Sequence, residues 1–553
     1  MKQKILRLRE HSLVILAICS LITLLALNVT YYIFDTKQLF IFNQIGSFNW
    51  VLSYFLIIVF SLRSFIRLVR LSFVKKWFLT LTVLLVFVFL SFFQATKTAN
   101  VSHETTQEIA CITNSKYLGE KYNQPCFLGY PARQYLIQAL PSLLLTKSVL
   151  ALNSGAILFF IPGLFIFSFA LLHTNKDKKY TDEIVAITIS MLFSFYFMAH
   201  FYFYNFEQSI FPLSFGLIGT GLGLLYKKSG KIETLFLLII LIQHAIFSYT
   251  PSLSLMPVLL LFLCLKPDKK NMQKKSWVFS ILAGLIITGS SLAISIENRY
   301  DIRVLDKNGE SSQTILSVIK ETPAVLKHFF IQHAGGIEFV SPIILWIIFV
   351  AMLINIKRAK INFLIIIWAL TTMIIATTSH GYAVYGLDFR AHRSLVVLPI
   401  LMFGFGTSLI DFFQFIKYDR LTKIALSLML IATTTLGVTL TNNYLNTKSV
   451  DDRTLLSLWL QKNLNSTQNY DLYIIGPRPY QDLLSLNDKL QYFAPTVGSQ
   501  IIADDESCPS GKGVYFVNPI SACLNSYQNS PGYQSKHYAD SKGYEYEIFI
   551  KNY

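Results

Sequence analysis

Long apolar runs alternate with short polar segments from residue 12 to residue 442. Most of the runs approach or exceed the roughly 20 apolar residues that a helix needs to cross a bilayer. The pattern predicts an α-helical polytopic membrane protein with about thirteen transmembrane helices. The predicted spans are 12–34, 49–66, 77–94, 146–173, 184–203, 209–226, 232–248, 252–265, 277–295, 340–356, 361–378, 394–415 and 424–442.

The pattern changes after residue 442. "DDRTLLSLWLQKNL" has the apolar spacing of an amphipathic helix, with Asp451 or Asp452 as the N-cap. "YDLYIIG", "GVYFVNP" and "YEYEIFIKNY" have the composition of short strands. We therefore predict two domains, a membrane domain at 1–442 and a small α/β domain at 443–553. The second contains no glycine-rich phosphate loop and no Cys/His cluster with metal-ligand spacing.

Composition and charge agree with a membrane protein and set its orientation. The chain is 53% hydrophobic and 14% charged, whereas a soluble protein has about 25% charged residues. The net charge of +17 comes from short Lys/Arg runs between alternate spans, which indicates cytoplasmic loops rather than a nucleic-acid surface. We expect a multi-pass protein of the cytoplasmic membrane with a cytoplasmic N-terminus. Residues 35–48, 95–145, 296–339 and 443–553 then face outward.

The cysteines support that orientation. Cys19 and Cys264 fall inside predicted spans, whereas the other four fall in predicted outside segments, two in each. Each of these pairs encloses a short loop, so we predict the disulfides Cys111–Cys126 and Cys508–Cys523 in an oxidising compartment. Unpaired thiols are the alternative, because sequence alone does not give connectivity.

The first large outside loop carries the strongest candidate chemistry. Glu104 and Glu108 lie four residues apart, on one face of a short predicted helix, and His103 precedes them. "GYPARQYLIQALPSLLL" then returns to the membrane as an amphipathic stretch, with Pro131 suited to a helix start and Pro141 to a kink. A carboxylate held at an apolar boundary can be tuned into a general base.

This loop resembles the corresponding loop of the GT-C superfamily. "SHETTQEIA", "YLG" and "GYPARQY" are similar to that family's acidic, Gly and Tyr-Pro motif. GT-C enzymes are membrane glycosyltransferases that use polyprenyl-phosphate-linked sugars, and include protein mannosyltransferases, aminoarabinose transferases and oligosaccharyltransferases. The resemblance implies that Glu104 is the catalytic carboxylate, with His103 beside it. It also implies that Glu108 and Tyr130 contact substrate.

Two departures from the family pattern leave an alternative open. The family usually has Asp at this position and places the loop after the first span, whereas here two further spans precede it. Asp35, in "YYIFDTKQ", follows the first span, but no Tyr-Pro follows it. Asp35 is therefore the reserve candidate for the catalytic carboxylate.

A second group of candidates lies in "SHGYAVYGLDFRAHRSLVVLPIL". Arg390 and Arg393 lie at an outer boundary, against the positive-inside trend, and His392 lies between them. Guanidinium groups bind phosphate in two-point contacts, so these residues are candidates for binding the donor phosphate, and Asp388 is a further candidate catalytic carboxylate. The alternatives are snorkelling toward lipid headgroups or a surface pair between Asp388 and Arg390.

The expected function is transfer of a sugar from a polyprenyl-phosphate donor to a glycan, lipid or protein acceptor on the outer face of the membrane. No "DxD" occurs in the predicted outside loops, so no motif requires a metal or another cofactor. Membrane lipids are expected partners and nucleic acid is not. The loop 296–339, with His328, is long enough to cover a site, but the tail lacks the "WWDYG" motif of oligosaccharyltransferases.

Two other functions remain as alternatives. One is a polymerase or ligase of surface polysaccharide, which would also have many spans and outside Arg and His residues. The other is a transporter or flippase for a lipid-linked sugar. Transporters tend to carry charges near the bilayer midplane and to contain internal repeats, whereas these spans are nearly free of charge and show no repeat.

Overall fold

The computed structural model consists of a bundle of long helices followed by one five-stranded sheet. It describes residues 2–34, 40–97, 103–117, 119–120, 122, 133–145, 147–195, 210–248, 250–268, 274–305, 315–331, 340–355, 358–378, 392–414, 416, 419–447, 452–475, 486–503, 508–517, 520–539 and 545–551.

Sixteen α-helices of the described residues precede the C-terminal domain, and two 3-10 helices, Thr250–Leu255 and His392–Val397, interrupt them. The α-helices are α1 (Lys2–Phe34), α2 (Phe40–Lys75), α3 (Phe78–Ala95), α4 (His103–Thr113), α5 (Arg133–Leu144), α6 (Val149–Thr174), α7 (Thr181–Phe193), α8 (Ile210–Ser229), α9 (Ile232–Ile246), α10 (Met256–Cys264), α11 (Lys274–Leu305), α12 (Ile315–Phe330), α13 (Val340–Ile354), α14 (Ala359–Thr378), α15 (Leu398–Phe413) and α16 (Asp419–Thr447).

The helices confirm the helical polytopic fold. Eight helices in the described part of the chain are long and apolar enough to cross a membrane, and further apolar helices are shorter. The predicted helix in the loop 296–339 is present as α12. The predicted span 184–203 begins within α7, and its second half lies outside the described residues. Helix α11 continues about three turns beyond the predicted end at 295, because "ENRYDIRVL" contains neither Pro nor Gly.

Helices α6 and α8 form the centre of the bundle and are buried along most of their length. Small residues allow them to approach closely. A side chain at Gly221 would lie 3.0 Å from the Ile166 carbonyl oxygen, and one at Gly163 would lie 3.2 Å from the Ser214 carbonyl oxygen. Glycine at such contacts is typical of membrane helices, whose association depends on close packing rather than on exclusion of water.

The C-terminal domain combines three helices with a mixed sheet. Its elements are α17 (Asp452–Asn463), β1 (Tyr470–Ile475), α18 (Leu486–Phe493), β2 (Val497–Ala503), β3 (Gly513–Val517), α19 (Cys523–Gln528), β4 (Tyr533–Ala539) and β5 (Glu545–Lys551). The strand order is β2-β1-β3-β5-β4, with β1 parallel to β2 and β3, and β5 antiparallel to β3 and β4. The predicted α17, β1, β3 and β5 are confirmed, whereas β2, β4, α18 and α19 were not predicted. The domain boundary at 442/443 stays a prediction.

Both faces of this sheet are covered. Alternate residues such as Leu472 and Ile474 pack under α17 and α18, while Ile475 and Tyr515 pack on the opposite face near α19. The predicted disulfide Cys508–Cys523 is confirmed, with a Cα–Cα distance of 5.3 Å, and it fixes the start of α19 to the chain before β3.

The other cysteines agree with their predicted environments. Cys111 takes part in a disulfide, and its predicted partner, Cys126, lies outside the described residues. Cys19 and Cys264 are free thiols.

The two ends of the bundle differ in what they contact: one meets the C-terminal domain (the domain end), and the other carries paired basic and acidic residues (the basic end). At the domain end, α4, Asn114 and α5 meet α18 of the C-terminal domain. At the basic end, Arg63, Lys178 and Arg358 lie near the acidic residues Glu233 and Asp411.

Candidate functional site at the domain end

Helix α4 carries the predicted catalytic carboxylates. The predicted helix is confirmed, and it places Glu104 and Glu108 one turn apart. Glu108 is fully buried, as are Thr105 and Thr106. The side chains of His103 and Glu104 lie outside the described residues. Helix α4 is therefore embedded between the membrane domain and the C-terminal domain, with a buried carboxylate on it.

The chain after α4 docks on the first half of α2. The Tyr117 ring meets Phe40 edge-on at 4.5 Å, and the Asn43 side-chain amide donates a hydrogen bond to the Glu120 carbonyl at 3.4 Å. Gly119 has φ +85°, and a Cβ there would lie 1.9 Å from the Ser47 hydroxyl oxygen, so only glycine fits. This docking brings the Tyr122 ring against Gly46 and fixes one wall of the candidate site.

Helix α5 begins with a buried arginine enclosed by aromatic rings. The Arg133 guanidinium carbon lies 3.3 Å from the centroid of the Phe247 ring, 5.3 Å from that of Tyr122 and 5.7 Å from that of Trp50. Only 3% of Arg133 is exposed. The rings come from α2, the loop after α4 and the C-terminal end of α9, so four separate segments form the enclosure. We call it the Arg133 cage.

The position of α5 is fixed by close packing on α6. A Cβ at Gly155 would lie 2.1 Å from the Gln138 carbonyl oxygen, which shows how closely the two helices approach. The Tyr135 ring also packs edge-on against Phe211 of α8, with centroids 6.0 Å apart. Because Arg133 is the first residue of α5, the packing of α5 against α6 and α8 determines where the guanidinium lies.

The positive charge of Arg133 has no acidic partner among the described residues. Its Nε and Nη2 atoms have no hydrogen-bond partner within that part of the chain, and the same is true of the Trp50 indole Nε1. Burial lowers the pKa of the Arg133 guanidinium, and burial raises the pKa of the Tyr122 hydroxyl while the charge of Arg133 opposes that rise. The rings stabilise the cation partly through their π faces. Three donor nitrogen atoms in one enclosure, each without a hydrogen-bond partner among the described residues, are suited to binding an anion.

A polar group continues from the cage into the bundle. The His244 ring lies 4.1 Å from Trp50, and its Nε2 atom is 2.8 Å from the Ser53 hydroxyl. Nearby, the side chains of Asn28, Ser291 and Gln243 are joined by hydrogen bonds. These groups are buried and paired with one another, and they connect α1, α2, α9 and α11. Their satisfied bonds indicate a structural role, in contrast to Arg133.

The second predicted group is only partly described. Arg393 lies in the 3-10 helix His392–Val397 and is 9% exposed. That helix packs on the 3-10 helix Thr250–Leu255, which closely follows Phe247 of the Arg133 cage. Arg393 and the cage thus lie at the same end of the bundle.

The remaining predicted residues cannot be placed relative to the cage. The side chain of His392, and the whole of Asp388, Arg390, Tyr130 and Asp35, lie outside the described residues. Within the described part of the chain, no cluster of His, Cys, Asp and Glu is suited to a metal ion.

Arg133 was not among the residues singled out from the sequence. Arg133 lies in "GYPARQY", close to the Tyr-Pro of the predicted motif. It is also a basic residue beside an apolar stretch, on the side of the membrane that was predicted to be poor in Lys and Arg. That signal was available, since it is the same signal that identified Arg390 and Arg393. Burial among three aromatic rings was not readable from the sequence.

No protein-family profile and no curated protein sequence matches the chain. Among solved structures, the chain is similar to the crystal structure of ArnT from Cupriavidus metallidurans in the apo state. The match has 10% sequence identity and a TM-score of 0.47, and covers 85% of this chain and 97% of that one.

Proposed function

We propose that the protein is a membrane glycosyltransferase that moves a sugar from a polyprenyl-phosphate donor to an acceptor at the domain end of the bundle. The observation that carries this proposal is Arg133, a buried cation whose Nε and Nη2 atoms have no hydrogen-bond partner among the described residues. An isolated buried charge is strongly unfavourable unless a counter-charge or hydrogen bonds compensate it. A bound anion would supply both.

Phosphate is the anion that this geometry favours. Nε and Nη2 lie on one edge of the guanidinium plane, and that edge binds two oxygens of a phosphate at once. The Trp50 indole N–H adds a third donor nearby. The aromatic and aliphatic walls of a bundle in a bilayer suit a donor whose phosphate is attached to a long apolar chain. Arg393 and Arg390 are proposed as further contacts to the same phosphate.

The reaction requires a base for the acceptor and a stabilised leaving group. We assign the base to Glu104, with Glu108, His103 and Asp388 as supporting groups and Asp35 as the reserve. The carboxylate removes the proton of an acceptor hydroxyl, the acceptor oxygen bonds to the anomeric carbon, and the bond from that carbon to the phosphate oxygen breaks. The polyprenyl phosphate leaves with its charge stabilised by Arg133. This scheme assigns no role to a metal.

The membrane side follows from the distribution of basic residues. The lysine- and arginine-rich connections lie at the basic end, which we assign to the cytoplasm of the cell, so the domain end and its site face outward. The scheme requires an acceptor with a nucleophilic hydroxyl. A glycan, a lipid or a protein hydroxyl would each satisfy it.

Donor binding to purified protein in lipid nanodiscs tests the proposal. Wild-type protein should bind polyprenyl phosphate more tightly than the matching polyprenol, which lacks the anion. Arg133→Ala should weaken phosphate binding roughly 10- to 100-fold, as expected for lost charged hydrogen bonds, and leave polyprenol binding unchanged. Arg70→Ala, an exposed arginine of α2 near the basic end, is the matched control. Equal binding of the two lipids by wild-type protein would refute the assignment.

A further inference from the structure

Helix α12 packs on the bundle through one face and leaves the other exposed. Val325, His328 and Phe329 are buried, and the helix packs against α13 and α14. The residues on the other side recur at helical spacing and share a wide exposed surface. We call them the α12 face: Ile319, Lys320, Pro323, Lys327 and Ile331.

The charge of the α12 face is entirely positive. Lys320 and Lys327 are seven residues apart, so they lie on one side of the helix, about 10 Å from each other along its axis. Neither side chain has an ion pair or a hydrogen bond with another described residue. Glu321, the acidic residue of α12, is partly buried and lies outside the exposed arc. Both ammonium groups are therefore available to an anion.

The rest of the α12 face is apolar. Ile319 is 62% exposed and Ile331 is 63% exposed, so large apolar side chains flank the two lysines. A helix with exposed apolar residues beside lysines is typical of the boundary between acyl chains and headgroups. Pro323 has no backbone N–H, so the Ile319 carbonyl lacks the helical hydrogen bond from that position. Such a carbonyl is tolerated where water or headgroups are present, but not in the hydrocarbon core.

Trp346 of α13 marks the same boundary. Its indole Nε1 donates to the Phe330 carbonyl at 3.3 Å, and 53% of the residue is exposed. Tryptophan with a paired N–H and an exposed ring is typical of the membrane–water interface. The other end of α13 leads to Arg358 at the basic end, and α14 packs on the 3-10 helix of Arg393 at the domain end. Helix α12 therefore lies toward the domain end.

We propose that the α12 face is a binding site for phospholipids with a net negative headgroup, in the leaflet at the domain end. The Lys320 and Lys327 ammonium groups bind headgroup phosphates, while Ile319 and Ile331 contact acyl chains. Two lysines here run against the positive-inside trend, which favours a binding role. Because the described part of the face is open, it recognises negative charge at the membrane surface rather than one particular lipid. The site does not depend on the proposed function.

Native mass spectrometry of the full chain in a non-ionic detergent tests the site. Wild-type protein should bind phosphatidylglycerol more tightly than phosphatidylcholine with the same acyl chains. Lys320→Gln and Lys327→Gln should each weaken phosphatidylglycerol binding about 5-fold, and the double variant about 25-fold, with phosphatidylcholine binding unchanged. Lys462→Gln, at an exposed lysine of α17, is the matched control and should bind both lipids like wild type. The exposed positions of the two lysines predict an unchanged melting temperature.

Equal wild-type affinities for the two lipids, or full phosphatidylglycerol binding by the double variant, would overturn the proposal. Glycerol phosphate has the headgroup charge but no acyl chains, and at equal concentration it should not displace the lipid; displacement would contradict a lipid site. A double variant that loses polyprenyl phosphate but retains phosphatidylglycerol would assign the face to the donor instead. Arg133→Ala should bind phosphatidylglycerol normally. A wild-type protein that binds phosphatidylglycerol on α12 but no polyprenyl phosphate would refute only the proposed function.

Discussion

The two ends of the helical bundle differ in whether their buried and half-buried cations are paired with carboxylates. At the basic end, Asp411 accepts from both Lys178, at 2.6 Å, and Arg358. Arg63 pairs with Glu233 at 3.2 Å. At the domain end, Arg133 is more deeply buried than any of these cations, yet aromatic rings surround it and no described carboxylate pairs with it.

The difference is the reason for proposing a structural role for the charges at the basic end and a binding role for Arg133. Paired charges at the basic end connect helix ends: Arg63 and Glu233 join α2 to α9, and Asp411 joins α15 to the segments before α7 and α14. In such pairs each charge is neutralised by its partner, so neither side chain is available to bind a ligand. Among the described residues, Arg133 has no carboxylate partner, and its Nε and Nη2 atoms remain available to a ligand. Ionisable residues buried in membrane proteins often mark functional sites, which supports the proposed role.

The largest expected effect is at the domain end. Glu104→Gln removes the proposed base without changing shape and should lower sugar transfer by about 10²- to 10⁴-fold while donor binding is retained. Asp177→Asn, an exposed acid at the basic end, should leave transfer unchanged. Transfer rates with a polyprenyl-phosphate sugar in nanodiscs provide the measurement. If Glu104→Gln transfers at the wild-type rate, Asp35→Asn and Asp388→Asn become the variants to measure.

The disulfide of the C-terminal domain should stabilise that domain without affecting the Arg133 cage. Replacing Cys508 and Cys523 by Ser opens a bridge between residues 15 apart in the sequence and should lower the stability of the domain by about 3 kcal/mol. The bridge lies on the face of the sheet opposite α18, so polyprenyl phosphate binding at low temperature should persist. Thermal unfolding with and without reductant measures the first effect. Loss of donor binding in the folded variant would show that the two regions are not independent.

At the basic end, Asp411→Asn should destabilise the fold without altering the chemistry. It leaves Lys178 and Arg358 facing each other without their carboxylate. We expect a loss of about 1–2 kcal/mol, below that for a fully buried pair because all three side chains keep some exposure. The melting temperature reports the loss, and transfer per folded molecule should match wild type. A large fall in transfer at unchanged stability would contradict the contrast between the ends.

The smallest effect is expected at Asp419. Its carboxylate pairs with Lys423 at 3.2 Å and accepts from the Tyr180 hydroxyl, but it is well exposed. Exposed pairs of this kind contribute little because water and salt screen them. Asp419→Asn should therefore leave both the melting temperature and transfer unchanged. A marked loss of stability would mean that the Tyr180 contact is more important than its exposure indicates.

Much of the fold was predictable because its signals are local. Apolar runs predicted the long helices, and the strand-like composition of three short segments predicted β1, β3 and β5. Strand β2 was missed because Gly, Ser and Gln interrupt the apolar residues of "VGSQIIA", and β4 because "YQSKHYA" is largely polar. Helix α18 has its apolar residues Leu486, Leu490 and Phe493 at helical spacing, but at eight residues it is too short for a clear periodic signal.

The candidate site was predictable only in part. The helix that carries Glu104 and Glu108 was predicted from spacing, and Arg393 from its position at a boundary. Arg133 and the buried Lys489 of α18 were not identified, because their burial is not encoded in the neighbouring sequence. Each is an ordinary cation in the sequence, and each becomes unusual only when distant segments enclose it.

The sequence by itself determined that this chain is a helical membrane protein with a small α/β domain and where its basic connections fall, and it predicted the disulfide between residues 508 and 523. Run length, charge and short cysteine spacing are local properties, and a bilayer or an oxidising compartment acts on them directly. Only the tertiary structure decided that Phe247, Tyr122 and Trp50 enclose Arg133, and that Lys489 meets α4 across more than 380 residues. Such contacts depend on how helices pack, and packing is a property of the whole chain.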